Sequence, residues 1–130
     1  MKKDLDEKLT REFPLLYSDR HESMMITCMC WGFSCDDGWF DIIYKLSSKL
    51  EPLIIKYIKD NEGSDEYKDR SYPKAAQIKE KYGELRFYMT HTTDEMNGLI
   101  KEAEKKSGVT CEHCGEAGEK RNIRWIKTLC

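Results

Sequence analysis

The six cysteines of this 130-residue chain fall into two tight groups, Cys28, Cys30 and Cys35 near the front and Cys111, Cys114 and Cys130 at the end. Closely spaced thiolates are the donor set of zinc, and Cys111-Glu112-His113-Cys114-Gly115 is a C-x2-C knuckle in which Gly115 lets the backbone pass close to an ion. With Cys130 the tail offers three corners of a tetrahedron, so the chain is expected to bind one structural zinc through Cys111, Cys114, Cys130 and a fourth ligand. His113 is a poor fourth ligand, because a C-H-C triple strains one tetrahedron. Cys28, Cys30, Cys35 or His21 can complete the site across the fold, with Cys35 ahead of Cys30; otherwise a partner or further chain supplies the ligand. A metal has an energetic purpose in a chain this short. Ordering each residue costs about 1–2 kcal/mol of backbone entropy, which a small core barely offsets.

Other catalytic patterns are missing. The sequence has no HExxH, no deaminase H-x-E with P-C-x-x-C, and no phosphate-binding GxxxxGK[ST]. Asp36, Asp37 and Asp41 have the residue type of a divalent-cation nuclease, but acids also decorate helix N-termini. His91 and Cys111 lie too far apart in sequence to be read as a catalytic pair. The chain is expected not to be an enzyme.

Composition narrows the class. Hydrophobic residues make up 39% and charged residues 35%, with a formal net charge of −2. These values fit a foldable, water-soluble chain of one domain spanning 1–130, and neither a membrane protein nor a disordered tail. The acidic start, Met1 to Glu7, lacks the apolar stretch of a secretion signal, so a cytoplasmic location is expected, where thiols stay reduced. The basic footprint of a nucleic-acid binder is absent from the chain as a whole. Only the tail from Gly108 to Cys130 carries a slight surplus, four Lys or Arg against three Glu.

The elements that must position the cysteines follow from periodicity. Phe13-Pro14-Leu15-Leu16-Tyr17 anchors the front, with Pro14 opposing any helix across it. Met24 to Phe33 is nearly continuously apolar and predicts a buried strand or irregular core segment, its methionines filling gaps. Asp36 or Asp37 is expected to cap a helix. From Trp39 to about Asn61, apolar residues recur at three- and four-residue steps, which predicts helix, with Pro52 either kinking it or dividing it into two abutting helices. Asn61 to Glu66 reads as a polar loop. Residues 75–80 and 85–90 form a hairpin, with Leu85, Phe87 and Met89 on one face. Thr92-Thr93-Asp94-Glu95 starts a second helix, burying Met96, Leu99, Ile100 and Ala103 and ending at Gly108. The final strand, Ile123 to Cys130, turns Trp125 and Leu129 inward. The fold class is α+β: a small antiparallel sheet against a long kinked helix and a shorter one, closed by a C-terminal zinc-knuckle hairpin.

Three stretches, Gly32 to Ile43, Tyr72 to Tyr88 and Cys111 to Gly115, resemble small phage and prophage proteins of largely unassigned activity. Those relatives commonly continue past the position of Cys130 with another cysteine or histidine, a departure here. A compact phage protein without enzymatic motifs is similar to host-defence inhibitors, including anti-CRISPR proteins acting on Cas9. The resemblance implies an interaction protein that blocks a host protein or ribonucleoprotein, with the acids at Asp36, Asp37 and Asp41 and at Asp60, Glu62, Asp65 and Glu66 imitating phosphates. The alternatives are a nucleic-acid-binding zinc module, using Arg121, Arg124, Lys127 and a stacking Trp125, and a metal-dependent nuclease.

Overall fold

A computed structural model of the protein describes residues 1–61, 72–122 and 124–130. Most of the expected polar loop after Asn61, including Glu62, Asp65 and Glu66, and Ile123 of the last strand lie outside the described residues. The fold is α+β, a small sheet against a long kinked helix and a shorter one, with a cysteine-rich hairpin at the C-terminus.

Helix α1 (Lys3–Glu12) opens the chain. It stops at Phe13, where the following Pro14 disfavours helical backbone. Its Leu9 is fully buried, and Asp6 holds Arg20 in a two-pronged ion pair whose closest N–O distance is 2.8 Å. The apolar stretch that follows departs from expectation. Met24, Met25 and Ile26 are exposed, and a 3-10 turn, Cys28–Trp31, leaves Trp31 outside and only Met29 fully inside. One turn of 3-10 helix gives one inward position per three residues, so it cannot bury a continuous apolar run.

Helix α2 (Phe40–Asp60) continues through Pro52. Its period places Ile43, Leu46, Leu50 and Ile54 on the buried face. Two polar residues share that face because each is satisfied. Ser47 donates to the Ile43 carbonyl and bonds the Tyr17 hydroxyl, while both Glu51 oxygens accept, from the N–H groups of Leu15 and Leu16. That carboxylate holds the turn after Pro14 onto α2.

Strands β1 (Phe33–Ser34), β2 (Ala75–Lys81) and β3 (Glu84–Met89) form the sheet in the order β1-β2-β3. The main pair, β2 and β3, is antiparallel as expected; the two-residue β1 adds parallel to β2. Tyr82 and Gly83 both take positive φ, 52° and 82°, the turn whose twist matches a two-residue hairpin. Leu85 and Phe87 face the core and Tyr88 faces out. Helix α3 (Asp94–Ser107) starts on the Thr93 hydroxyl, which accepts from the Met96 N–H, and is followed by Gly108. It also protects the outer edge of β3: Ser107 Oγ and Glu104 Oε2 accept from the N–H groups of Leu85 and Phe87. Strands β4 (Glu119–Asn122) and β5 (Ile126–Leu129) make a separate antiparallel hairpin.

Among the described residues, no helix is long and apolar enough to cross a membrane.

Candidate metal centre

The knuckle is built on backbone that three elements hold. The Cys111 N–H donates to the Glu116 carbonyl and the Gly115 N–H returns to the Cys111 carbonyl, closing the loop on itself. The Glu112 N–H donates to the carbonyl of Thr128 in β5, and Thr128 Oγ1 donates to the carbonyl of Gly83, so the hairpin links knuckle and sheet. On the other side, the Gly38 N–H donates to the Glu112 carbonyl at 2.7 Å, and Trp39 Nε1 donates to the Thr110 carbonyl at 2.9 Å. The 3-10 turn that leads into α2, Asp37–Trp39, therefore sits directly on the knuckle. Two glycines make that approach feasible: a Cβ on Gly38 would lie 2.3 Å from the Cys111 carbonyl oxygen, and Gly115, at φ 83°, faces Gly38 in return.

On this scaffold Cys111, Cys114 and Cys130 bring their sulfurs within 4.8 Å of one another. The Cys114 and Cys130 sulfurs are 3.8 Å apart. Two thiolates about 2.3 Å from a tetrahedral zinc stand about 3.8 Å from each other, whereas a disulfide needs about 2.05 Å. All six cysteines are free. Burial pushes the Cys111 thiol up, but hydrogen bonds from the backbone of Cys114, Cys130 and His113 and from the Cys114 side chain outweigh it, leaving its pKa lowered to about 6. Amides aimed at a sulfur favour its thiolate, the form that binds metal. The Cys130 thiol is pushed up, by its side-chain contacts to Cys114 and Cys111 and the charge they carry. Negative charge already on one sulfur opposes it on the next, which is the repulsion a cation relieves. The donor set fits zinc: soft ligands, Cys114 and Cys130 at tetrahedral spacing, and one sulfur primed as thiolate.

Cys35, the expected fourth ligand, is not gathered with the other three. It is buried in the core, and desolvation raises its thiol pKa to about 12, which disfavours ligation as thiolate. Cys28 is exposed and Cys30 half-buried, its Sγ donating to the Thr27 carbonyl, and His21 and His113 are exposed. Asp36, Asp37 and Asp41 do not form a metal-capable cluster, the cysteine trio being the one such group among the described residues. Neither Asp36 nor Asp37 caps α2; the Asp37 carboxylate instead accepts from the Lys2 N–H and pairs with its ammonium. Glu112, between the two knuckle cysteines, is buried with Oε1 unpartnered, and burial pushes its pKa up while Lys127 pulls it back.

The hairpin beside the cysteine trio differs most from expectation. Trp125, expected inside, is 67% exposed at the turn of the β4–β5 hairpin, while Thr128 is the fully buried residue of β5. Alternation did not reveal this, because the buried side of β5 is chosen by the Gly83 turn packing on Ile126 and Thr128. Gly38 was also missed; nothing local in Asp36-Asp37-Gly38-Trp39 marks a backbone contact more than 70 residues away.

Compared with known proteins, the chain matches no family model, no curated sequence and no solved structure.

Proposed function

We propose that the chain is a zinc-binding module whose β4–β5 hairpin binds single-stranded nucleic acid, without catalysing a reaction. The observation that supports this reading is the exposed Trp125 at the hairpin turn, beside exposed Arg124 and next to Arg121, which pairs directly across the strands with Lys127. Like charges directly opposite each other destabilise a hairpin, and an exposed indole forgoes burial. Both become assets against a polyanion with flat bases: the cations meet phosphates, and stacking contributes about 1–3 kcal/mol per base. Glu119 pairs with Arg121 at 3.1 Å and Glu84 with Lys120 at 3.5 Å, so the local surplus is modest and binding is expected to weaken steeply with salt. Zinc, when bound, would crosslink Cys111, Cys114 and Cys130 and so fix the base of the hairpin. The chain's own residues do the rest: Gly38 and Trp39 seat the knuckle on α2, and Thr128 holds β5 against the sheet.

Titrating the zinc-loaded protein with oligothymidylate, while following tryptophan emission at low and at physiological salt, tests this. Quenching that is lost in Trp125→Ala and weakened in Arg121→Glu is expected. Absence of binding at low salt refutes the nucleic-acid reading, and absence of zinc from the purified protein refutes the metal reading separately.

A second reading has its own support. Met24, Met25, Ile26 and Trp31 expose apolar surface in one short segment, a feature of protein-binding sites. With the resemblance to phage proteins, it suggests an inhibitor acting in the host cytoplasm on a defence ribonucleoprotein such as Cas9. The acidic-mimic form of that idea is weakened by the pairing of Asp37 with Lys2. Surface plasmon resonance of Cas9 with guide RNA against wild type and Met25→Asp separates the outcomes; equal binding by both, or by neither, removes this reading.

A further inference from the structure

A cleft runs between α2 and α3, away from the cysteines. Its floor is apolar, made by Leu46 and Ala103, which are buried, and half-buried Leu99. Lys45 and Lys49 rise from α2 on one side and Lys106 from α3 on the other, all three exposed. None of these ammonium groups makes an ion pair or hydrogen bond with any described residue. Glu102 also borders the cleft and pairs with none of them, leaving an excess of positive charge over an apolar floor.

We infer that this cleft docks a short acidic amphipathic helix from a protein partner, with one aliphatic side chain on the floor and carboxylates on the lysines. Three features decide the chemistry. The free volume is about 80 Å³, which suits one aliphatic side chain better than an aromatic ring, since a cavity holding benzene is on the order of 150 Å³. Lys45 and Lys49 are one helical turn apart, about 6 Å along the axis, so acids one turn apart on a helix lying in the groove face both. The apolar floor decides against nucleic acid here, because a phosphodiester backbone meets the lysines but offers nothing to fill Leu46, Leu99 and Ala103. Unpaired lysines around an apolar floor also favour an acidic occupant over a basic or neutral one, since each sign mismatch would leave like charges facing each other. The inference stands apart from the hairpin and its metal, and it holds whether or not Trp125 stacks on bases.

The test is selection of a displayed library of randomised helical peptides on the full zinc-loaded chain, followed by fluorescence anisotropy of the enriched peptides. The expected consensus has an aliphatic residue flanked by Asp or Glu one turn apart. Replacing that aliphatic residue with alanine should weaken binding roughly tenfold, a loss of about 1.4 kcal/mol. The variant K45E/K49E/K106E, which alters only exposed positions and whose folding is checked by circular dichroism, should lose binding. Enrichment of peptides without acidic residues, equal binding by the triple variant, or no enrichment overturns the inference. So does displacement of the peptide by oligothymidylate that itself fails to bind the triple variant, which would make the cleft a phosphate site.

Discussion

Gly38→Ala should destabilise the protein although the same change at an ordinary backbone position stabilises. Gly38 lies in a 3-10 turn without positive φ, so alanine is conformationally welcome, and reduced freedom of the unfolded chain favours it by about 0.4–1 kcal/mol. Against that stands the packing. The new Cβ would lie 2.3 Å from the Cys111 carbonyl oxygen and 2.4 Å from that of Glu112, both backbone atoms that no rotamer change can move. Overpacking of this kind costs about 1–3 kcal/mol, and loss of the Gly38 to Glu112 hydrogen bond adds about 0.5–1.5. The net loss is about 0.5–4 kcal/mol, a midpoint shift of about 0.25–2 M urea at an m-value of about 2 kcal/mol/M. Gly98→Ala in α3 is the internal control. Nothing lies within 4 Å of its Cβ position, so helix propensity alone acts and should stabilise by about 0.5–1 kcal/mol. Urea titrations of both variants measure the two signs. A Gly38→Ala protein as stable as wild type, with Gly98→Ala behaving as stated, would refute the seating of α2 on the knuckle.

Cys111→Ser should remove bound zinc and lower the melting temperature, whereas Cys35→Ser should keep the metal and lose only packing stability; elemental analysis of the purified variants distinguishes them. Glu51→Ala strands the part-buried N–H of Leu15 and the buried N–H of Leu16, and a loss of about 2–4 kcal/mol is expected by chemical denaturation. The metal-free protein should gain stability as pH rises from about 6 to 9, because Cys111 is depressed from 9.0 to about 6 and its thiolate is favoured in the folded state. Above about 9 the sign reverses: Cys35, raised to about 12, together with Cys130 and Tyr17, also raised, are protonated in the folded state at pH values where the unfolded groups ionise. Denaturation across pH should show a maximum near 9, with Cys111→Ser flattening the acid limb and Cys35→Ser the alkaline one.

Elements whose signals are local could be read directly from the amino-acid order. The period of α2, the strands on either side of Tyr82-Gly83, the Thr93 start and Gly108 end of α3, and the knuckle at Cys111 and Cys114 each depend on residues within a few positions of one another. Helix period, turn chemistry and chelate spacing are short-range physics, so they were legible. Helix α1 was not foreseen, because its short, charge-rich run depends on Leu9 finding the core and Asp6 finding Arg20. Packing of the assembled fold settled whatever depends on which apolar surfaces meet. It put Cys35 in the core and left Met24 to Ile26 outside, though both have the composition of buried segments. It turned Thr128 inward and Trp125 outward, reversing the side that hydrophobicity alone would choose. Gathering Cys130 to the knuckle likewise required the β4–β5 pairing, and seating that knuckle required Gly38 at backbone contact. Burial is a property of the assembled layers, and a chain carries more apolar residues than its small core can enclose.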